Sequence, residues 1–225
     1  MTRPTVGIFG LTSCAGCQLN ILNCEEELLA LTGALDIRDF LMASSENDAT
    51  CSLDLALVEG AVVSKLDESA LQRIRARSKM LVALGTCAVC GGIARMSGAR
   101  PLKDLVKVDL NLPGCPIEKH EFLSAVATLL QGDTPLLPEY PVCTECRMRE
   151  NSCLLTEQGR FCCGPVTIAG CNARCPSYGV PCVGCRGPTK EANYESATEL
   201  LESRGYSPSE TDRRIQTFAH VGGTQ

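Results

Sequence analysis

The sequence has little that marks a nucleic-acid binder, a membrane span or a hydrolytic triad. Lysine and arginine number 21 against 26 aspartates and glutamates, a net charge of −5. The basic footprint of a nucleic-acid-binding protein is therefore missing. No apolar run reaches the ~18 residues that a bilayer-spanning helix needs. Met1 leads almost directly into the apolar Val6-Gly7-Ile8-Phe9. There is no charged leader, long apolar leader core or twin-arginine stretch, so the expected location is cytoplasmic. Histidine occurs only at His120 and His220, in contexts that suit surface positions, which leaves little room for Ser/His/Asp chemistry. Gly91-Gly92 is a candidate phosphate cradle, but neither a Walker-type lysine motif nor Gly-x-Gly-x-x-Gly accompanies it. Tryptophan is absent, and phenylalanine and tyrosine total five and four.

What the chain has is cysteine, 16 of 225 residues. In a short secreted protein this would read as a disulfide scaffold. Here the chain is long enough, and at 44% hydrophobic apolar enough, to bury a core without staples. Thiols kept reduced in a cell are expected on metal.

Composition divides the chain. Residues 1–137 read as an α/β domain, with apolar runs at Thr5–Phe9, Leu35–Leu41, Leu53–Val58 and Met80–Leu84 that suit strands buried on both faces of a parallel sheet. Helical patterns alternate with them over Gln18–Leu31, from the capping-box spacing Ser64-Lys65-Leu66-Asp67 to about Arg77, and over Glu118–Leu130. Such alternation predicts a doubly wound sheet. Residues 138–225 differ. More than half of the cysteines lie between Cys143 and Cys185 amid glycine and proline, a segment that needs a covalent organiser. A helical tail follows, with a further cap at Ser207-Pro208-Ser209-Glu210.

The cysteines fall into groups. Cys14, Cys17, Cys87 and Cys115 each follow a predicted strand or apolar run, and loops after strands gather at the carboxyl edge of a doubly wound sheet. Four thiolates meeting there can hold one cluster or one ion, with Gly10, Gly16, Gly85 and Gly114 permitting the tight backbone. Cys143, Cys146, Cys153 and Cys162 form a second group, and Cys171, Cys175, Cys182 and Cys185 a third. Eight cysteines in two sets of four suit iron–sulfur clusters first, structural zinc second and disulfides last. Cys24, Cys51, Cys90 and Cys163 remain as small buried hydrophobes. Cys90 is close enough in sequence to Cys87 to compete as a ligand, and spacing alone does not choose between Cys162 and Cys163. Glu59 ends an apolar strand at the same sheet edge, where a carboxylate can carry protons or bond a backbone amide.

These residues resemble a known family. Leu11-Thr12-Ser13-Cys14-Ala15-Gly16-Cys17-Gln18, Val58-Glu59-Gly60, Gly85-Thr86-Cys87-Ala88 and Gly114-Cys115-Pro116 resemble the proximal-cluster motifs of [NiFe]-hydrogenase small subunits. Cys162-Cys163-Gly164-Pro165-Val166-Thr167, Cys171-Asn172-Ala173-Arg174-Cys175-Pro176 and Cys182-Val183-Gly184-Cys185-Arg186-Gly187 resemble the soluble group 3 branch, above all the NAD(P)-linked bidirectional hydrogenases or sulfhydrogenases. The resemblance implies a flavodoxin-like parallel-sheet domain followed by a small, loop-rich iron–sulfur domain. It also implies three [4Fe-4S] clusters: proximal on Cys14, Cys17, Cys87 and Cys115, medial on Cys171, Cys175, Cys182 and Cys185, and distal on Cys143, Cys146, Cys153 and Cys162, with Cys163 spare. The partners it implies are a large subunit holding the Ni–Fe site, then further iron–sulfur and flavin/NAD(P) subunits. Electrons would move between hydrogen and nicotinamide in either direction.

Three departures separate the chain from periplasmic uptake enzymes of the same family. Cys143 stands where they have a histidine, Cys175 where they have a proline, and the twin-arginine signal is missing. An all-cysteine ligand set adds negative charge and lowers potentials. Rival readings are a hydrogenase coupled to heterodisulfide reductase or a deazaflavin cofactor, the homologous cluster subunit of NADH–quinone oxidoreductase, a zinc-stapled structural module, and a free-standing ferredoxin-like carrier. The third of these four differs in being redox-silent. The respiratory subunit has two adjacent cysteines at the first motif and lacks the downstream eight.

Overall fold

The computed structural model describes residues 3–218. The chain divides into two compact units, Met1–Pro135 and Leu136–Gln225. Among the described residues no helix is long and apolar enough to cross a membrane.

The first unit is built on five strands: β1 (Thr5–Gly10), β2 (Asp36–Asp39), β3 (Leu53–Glu59), β4 (Ser78–Leu84) and β5 (Leu110–Leu112). All neighbours pair in parallel, in the order β2-β1-β3-β4-β5. This is the flavodoxin-like order, with its switch point between β1 and β3. The central strands are largely apolar, apart from Asp54 and Glu59 in β3 and Ser78 and Lys79 in β4, because helices cover both faces. Leu53, Leu57, Leu81 and Leu84 are almost completely excluded from water, each contributing about 1.5–3 kcal/mol.

Helices α1 (Gly16–Leu22), α2 (Glu25–Ala34), α3 (Lys65–Ala76) and α4 (Gly85–Cys90) lie between strands, and α5 (Lys119–Leu130) follows the last of them. Leu71 and Ile74 of α3 pack with Leu53, Val58, Leu81 and Ala83. Ile21 of α1 and Phe122 of α5 share an apolar space with Val6, Ile8 and Leu57. The predicted capping box is present: Ser64 accepts from the Asp67 amide, and Asp67 accepts from the Ser64 amide. The single helix expected over Gln18–Leu31 is instead two. The α1 turn closes with the Asn23 amide on the Leu19 carbonyl and the Cys24 amide on the Ile21 carbonyl, and α2 starts afresh. The strand expected over Leu35–Leu41 pairs only over Asp36–Asp39.

The second unit has α6 (Val142–Met148), α7 (Arg174–Ser177), α8 (Tyr194–Glu202) and α9 (Pro208–Gln216). Its apolar core is small. Phe161, Cys163, Val166, Ala197, Leu201 and Ile215 pack together, capped by the Phe161–Tyr206 edge-to-face pair at 5.0 Å. Ser207 caps α9 by accepting from the Glu210 amide. His120 is exposed on α5, and His220 lies outside the described residues.

Candidate metal centres

All sixteen cysteines are unbridged thiols. The parallel sheet delivers the first four to one edge: Cys14 follows β1, Cys17 lies in α1, Cys87 lies in α4 directly after β4, and Cys115 follows β5. They are close enough to act on one another. Burial comes first in pushing the Cys87 thiol up to about 11, with Cys115, Cys14, Cys90 and Glu59 adding to it. Cys17 is driven far above its ordinary value by burial, then by Glu59, Cys115 and Cys87. Cys115 is raised by burial, Cys14 and Glu59.

The backbone around these thiols is shaped to admit sulfur. Gly85 has φ +80, and a Cβ there would lie 2.5 Å from the Cys17 sulfur and 3.2 Å from the Gly114 carbonyl. Ala15, between Cys14 and Cys17, adopts the left-handed region at φ 62. Such strain in a non-glycine residue persists only where its surroundings over-determine it. Thr86 zips two of the loops together, donating its amide to the Gly114 carbonyl at 2.9 Å and accepting the Gly114 amide on Oγ1 at 3.0 Å.

Glu59 anchors the loop of the first pair. It is 2% exposed. Its Oε1 accepts from the Cys17 amide at 3.0 Å, and its Oε2 accepts from the Gln18 amide at 3.1 Å and the Gln18 side chain at 3.0 Å. The carboxylate thus serves the otherwise unpaired amides at the start of α1, the amide-bonding role among those expected of it. Replacing Glu59 with alanine strands these donors, a loss of about 3 kcal/mol of local stability. Hydrogen exchange should show the Cys17 and Gln18 amides losing roughly a hundredfold in protection, while the centre of β3 stays protected.

In the second unit, burial pushes Cys143 up to about 12, with Cys162, Cys146 and Cys153 adding to it. Cys162 is raised by burial and by Cys153 and Cys146. Cys146, Cys153 and Cys162 therefore lie near enough to Cys143 to act on it. A Cβ on Gly164 would lie 3.3 Å from the Cys143 sulfur and 3.4 Å from the Cys162 sulfur. Asn151 donates to the Cys146 sulfur at 3.6 Å. Cys153 lies below its usual value: burial opposes this, but the Thr156 hydroxyl and the amides of Thr156 and Leu155 outweigh it.

The third predicted set is joined less evenly. Cys182 is raised by burial, by Cys162 and by Cys185, and its amide donates to the Cys162 sulfur at 3.3 Å. Cys171 packs beside Val142, Ala173 and Cys182. Cys175 is held through its carbonyl, which accepts from the Tyr178 and Val180 amides.

Among the described residues no three His, Cys, Asp or Glu side chains converge where one metal ion would sit. A four-iron cluster, when bound, would be held by four thiolates and its iron would offset their mutual repulsion. A pure thiol donor set with sulfur-shaped glycine cradles fits such a group.

The leftover cysteines behave as small apolar residues with a weak donor. Cys24 is fully buried and donates to the Asn20 carbonyl at 3.4 Å, and Cys90 donates to the Thr86 carbonyl at the same distance. Cys51 donates to the Asp48 carbonyl at 3.4 Å. Cys163 sits in the core of the second unit, and burial and Cys162 push it up to about 12. The Gly91-Gly92 pair makes room for Arg95 and for Cys87 rather than for a phosphate: Cβ atoms there would meet the Arg95 side chain at 2.9 Å and the Cys87 sulfur at 3.1 Å.

Residues 14–129 match the sequence model of the NADH ubiquinone oxidoreductase 20 kDa subunit family, and the downstream cysteines lie beyond that match. Relatives aligned over most of the chain decide the branch. Sulfhydrogenase 2 subunit delta of Pyrococcus furiosus is 37% identical over 95% of this chain and 98% of its own length. A subunit of the F420-non-reducing vhu hydrogenase of Methanocaldococcus jannaschii is 32% identical over 83% of each.

The chain belongs to the hydrogenase small-subunit family.

It is therefore an oxidoreductase subunit. Solved hydrogenases share its fold. A [NiFeSe]-hydrogenase chain of Desulfomicrobium baculatum superposes with a TM-score of 0.64 at 17% identity, covering 98% of this chain and all of that one. A chain of an NAD+-reducing [NiFe]-hydrogenase gives 0.58 at 22% identity over 61% of this chain and 96% of that one. The respiratory rival and the hydrogenases share the family of the first unit, and it is the full-length relatives that are hydrogenase subunits.

Two residues of the site escaped the sequence reading. Thr86 stands in the Gly85-Thr86-Cys87-Ala88 motif with no role assigned to it there, and Glu145 lies inside Cys143-Thr144-Glu145-Cys146. Neither spacing nor periodicity marks a buried carboxylate within a cysteine pair.

Proposed function

We propose that this chain is the electron-transfer subunit of a hydrogenase, working beside a large subunit that carries a Ni–Fe site. The observation that carries the reading is the gathering of Cys14, Cys17, Cys87 and Cys115 at the carboxyl edge of the sheet, around the cradle at Gly85. Cys143, Cys146, Cys153 and Cys162 would hold a second cluster, and Cys171, Cys175, Cys182 and Cys185 a third. When bound, three [4Fe-4S] clusters would supply one-electron storage and transfer between the large subunit and the next acceptor. The chain's own residues do the rest. The buried thiols exclude water, Glu59 fixes the first loop, and amide and hydroxyl donors around Cys153, Cys162 and Cys182 stabilise thiolate charge.

The acceptor is assigned to a flavin/NAD(P)-linked module in the cytoplasm, supported by the relative named sulfhydrogenase and by the all-cysteine ligand set, which favours low potentials. Relatives named as subunits of F420-non-reducing hydrogenases, at 32% identity over 83% of the chain, favour a second reading in which the electrons go to a different partner such as heterodisulfide reductase.

The test is a metal count on the native complex, purified without oxygen through a tag on this chain, with the subunits then separated. Roughly twelve irons and matching acid-labile sulfide on this chain, with nickel on a co-purifying large subunit, are expected. Two or three zinc ions with no sulfide and no nickel would overturn the reading. Hydrogen-driven reduction of NAD(P) by the same complex, against none, separates the two acceptors.

A further inference from the structure

We infer that Glu145 positions the Cys171 loop and, by its fixed negative charge, holds down the midpoint potential of the cluster that Cys171 binds. This rests on the iron–sulfur reading above and assigns a role to a residue outside the ligand set.

Glu145 lies in α6 between Cys143 and Cys146, yet its carboxylate serves the loop of the other cysteine set. It is 7% exposed. Oε1 accepts from the Gly170 amide at 2.8 Å, and Oε2 accepts from the Ala173 amide at 2.9 Å. The Cys171 thiol points the same way, donating to Oε2 at 3.9 Å. The two clamped amides bracket Cys171 and Asn172.

That loop needs holding. Asn172 and Ala173 both adopt left-handed backbone, at φ 56 and φ 48, and Gly170 has φ 119. Two adjacent non-glycine residues in this region cost free energy unless the surroundings impose it. Ala173 is completely buried and is the N-cap of α7, where it offers no capping side chain. Glu145 fixes the residue that leads into α7 by accepting its amide from another helix. The device resembles the one in the first unit, where buried Glu59 accepts the amides of Cys17 and Gln18.

The charge has a direction as well as a place. A buried carboxylate beside a ligating sulfur disfavours adding an electron to that centre, because like charges in a water-poor site are poorly screened. Arg186 acts in the opposite sense on the same sulfur. It is 2% exposed, and its Nε donates to the Ala169 carbonyl at 2.8 Å, next to Gly170. Cys171 thus lies under the influence of one buried anion and one buried cation from separate segments, and removing either unbalances it.

The experiment is a redox titration of the anaerobically purified complex by electron paramagnetic resonance, with iron counted on each variant. Glu145→Gln keeps the side chain's size and removes its charge. One cluster should titrate at a higher potential, and it should be the cluster whose signal changes on substituting Cys171. The other two should titrate as in the parent. Glu145→Asp keeps the charge but is too short to span both amides. Its affected cluster should keep a near-parental potential with an altered line shape, and this variant carries the test if Glu145→Gln fails to load iron.

Parental potentials at all three clusters in a fully loaded Glu145→Gln complex would overturn the inference. So would a shift confined to the cluster bound by Cys143 and Cys162, or a Glu145→Asp complex indistinguishable from the parent in line shape. A parent complex that shows no iron–sulfur signals at all overturns the cluster reading itself, so the two failures are told apart.

Discussion

Replacing Cys17 with alanine should leave a complex that no longer passes electrons from hydrogen to any soluble acceptor. Cys17 is the most deeply buried of the first four thiols: it is 6% exposed, whereas Cys14 and Cys115 are exposed and Cys87 is half-buried. It also sits at the mechanical centre of its site. Its amide is fixed by Glu59, its sulfur fills the space beside Gly85, and its helix begins one residue earlier at Gly16. An alanine removes the ligand without disturbing the amide bond to Glu59. The backbone should therefore stand while the cluster is lost, taking about four irons from this chain. Hydrogen-dependent dye reduction should fall to background. Hydrogen–deuterium exchange by the complex, which needs no electron to leave the large subunit, should persist. Cys24→Ala is the matched control, since Cys24 is also buried in the same segment and its thiol donates to the Asn20 carbonyl. Full dye reduction by the Cys17→Ala complex would remove Cys17 from the ligand set.

The two cysteine-bearing units differ in how far their sequences announce them. In the first unit the signal is hydrophobic. Strands buried on both faces are nearly continuously apolar, so Leu53–Val58, with Asp54 its one charge, and Met80–Leu84 stand out against any helical period, and the strand ends mark the sheet edge where Cys87 and Glu59 lie. The short strand Leu110–Leu112 escapes because three residues carry no period, and its place in the sheet comes from its parallel pairing with Val82–Leu84. The break between α1 and α2 escapes for a different reason. The apolar residues of 18–31 continue across it, and the interruption is local backbone geometry at Asn23 and Cys24.

In the second unit periodicity says almost nothing, since the fold there is organised around sulfur and hydrogen bonds. Cysteine spacing shows that two groups of four exist, but it cannot show which polar residues serve them. Glu145 is six residues past the exposed Glu139 in sequence, and one is buried against two amides while the other pairs with Lys190 at the surface. Only tertiary structure separates them. The left-handed backbone at Ala15 and Ala173 is equally silent in sequence, because alanine normally avoids it.

The cleanest discrimination among the twelve proposed ligands comes from Cys175→Pro. Cys175 is the second residue of α7, which begins at Arg174. The amides of a helix's first turn have no intrahelical partner, so proline there removes no ladder bond. The Cys175 carbonyl, which accepts the Tyr178 and Val180 amides, is retained. The substitution therefore deletes one thiolate with little cost to the fold. Three thiolates, Cys171, Cys182 and Cys185, remain for that centre, and it should fall back from four irons to three. The oxidised complex should then show a three-iron signal in electron paramagnetic resonance, with about one iron fewer per chain. The centre's potential should rise, since a negative ligand has gone. The centres on Cys14 and Cys143 should be unchanged, because neither set includes a residue of α7. If instead the signal of one of those two changes while no three-iron species forms, Cys175 belongs to a different set, and the grouping of Cys171 with Cys182 and Cys185 must be redrawn around the contact that Cys182 already makes with Cys162.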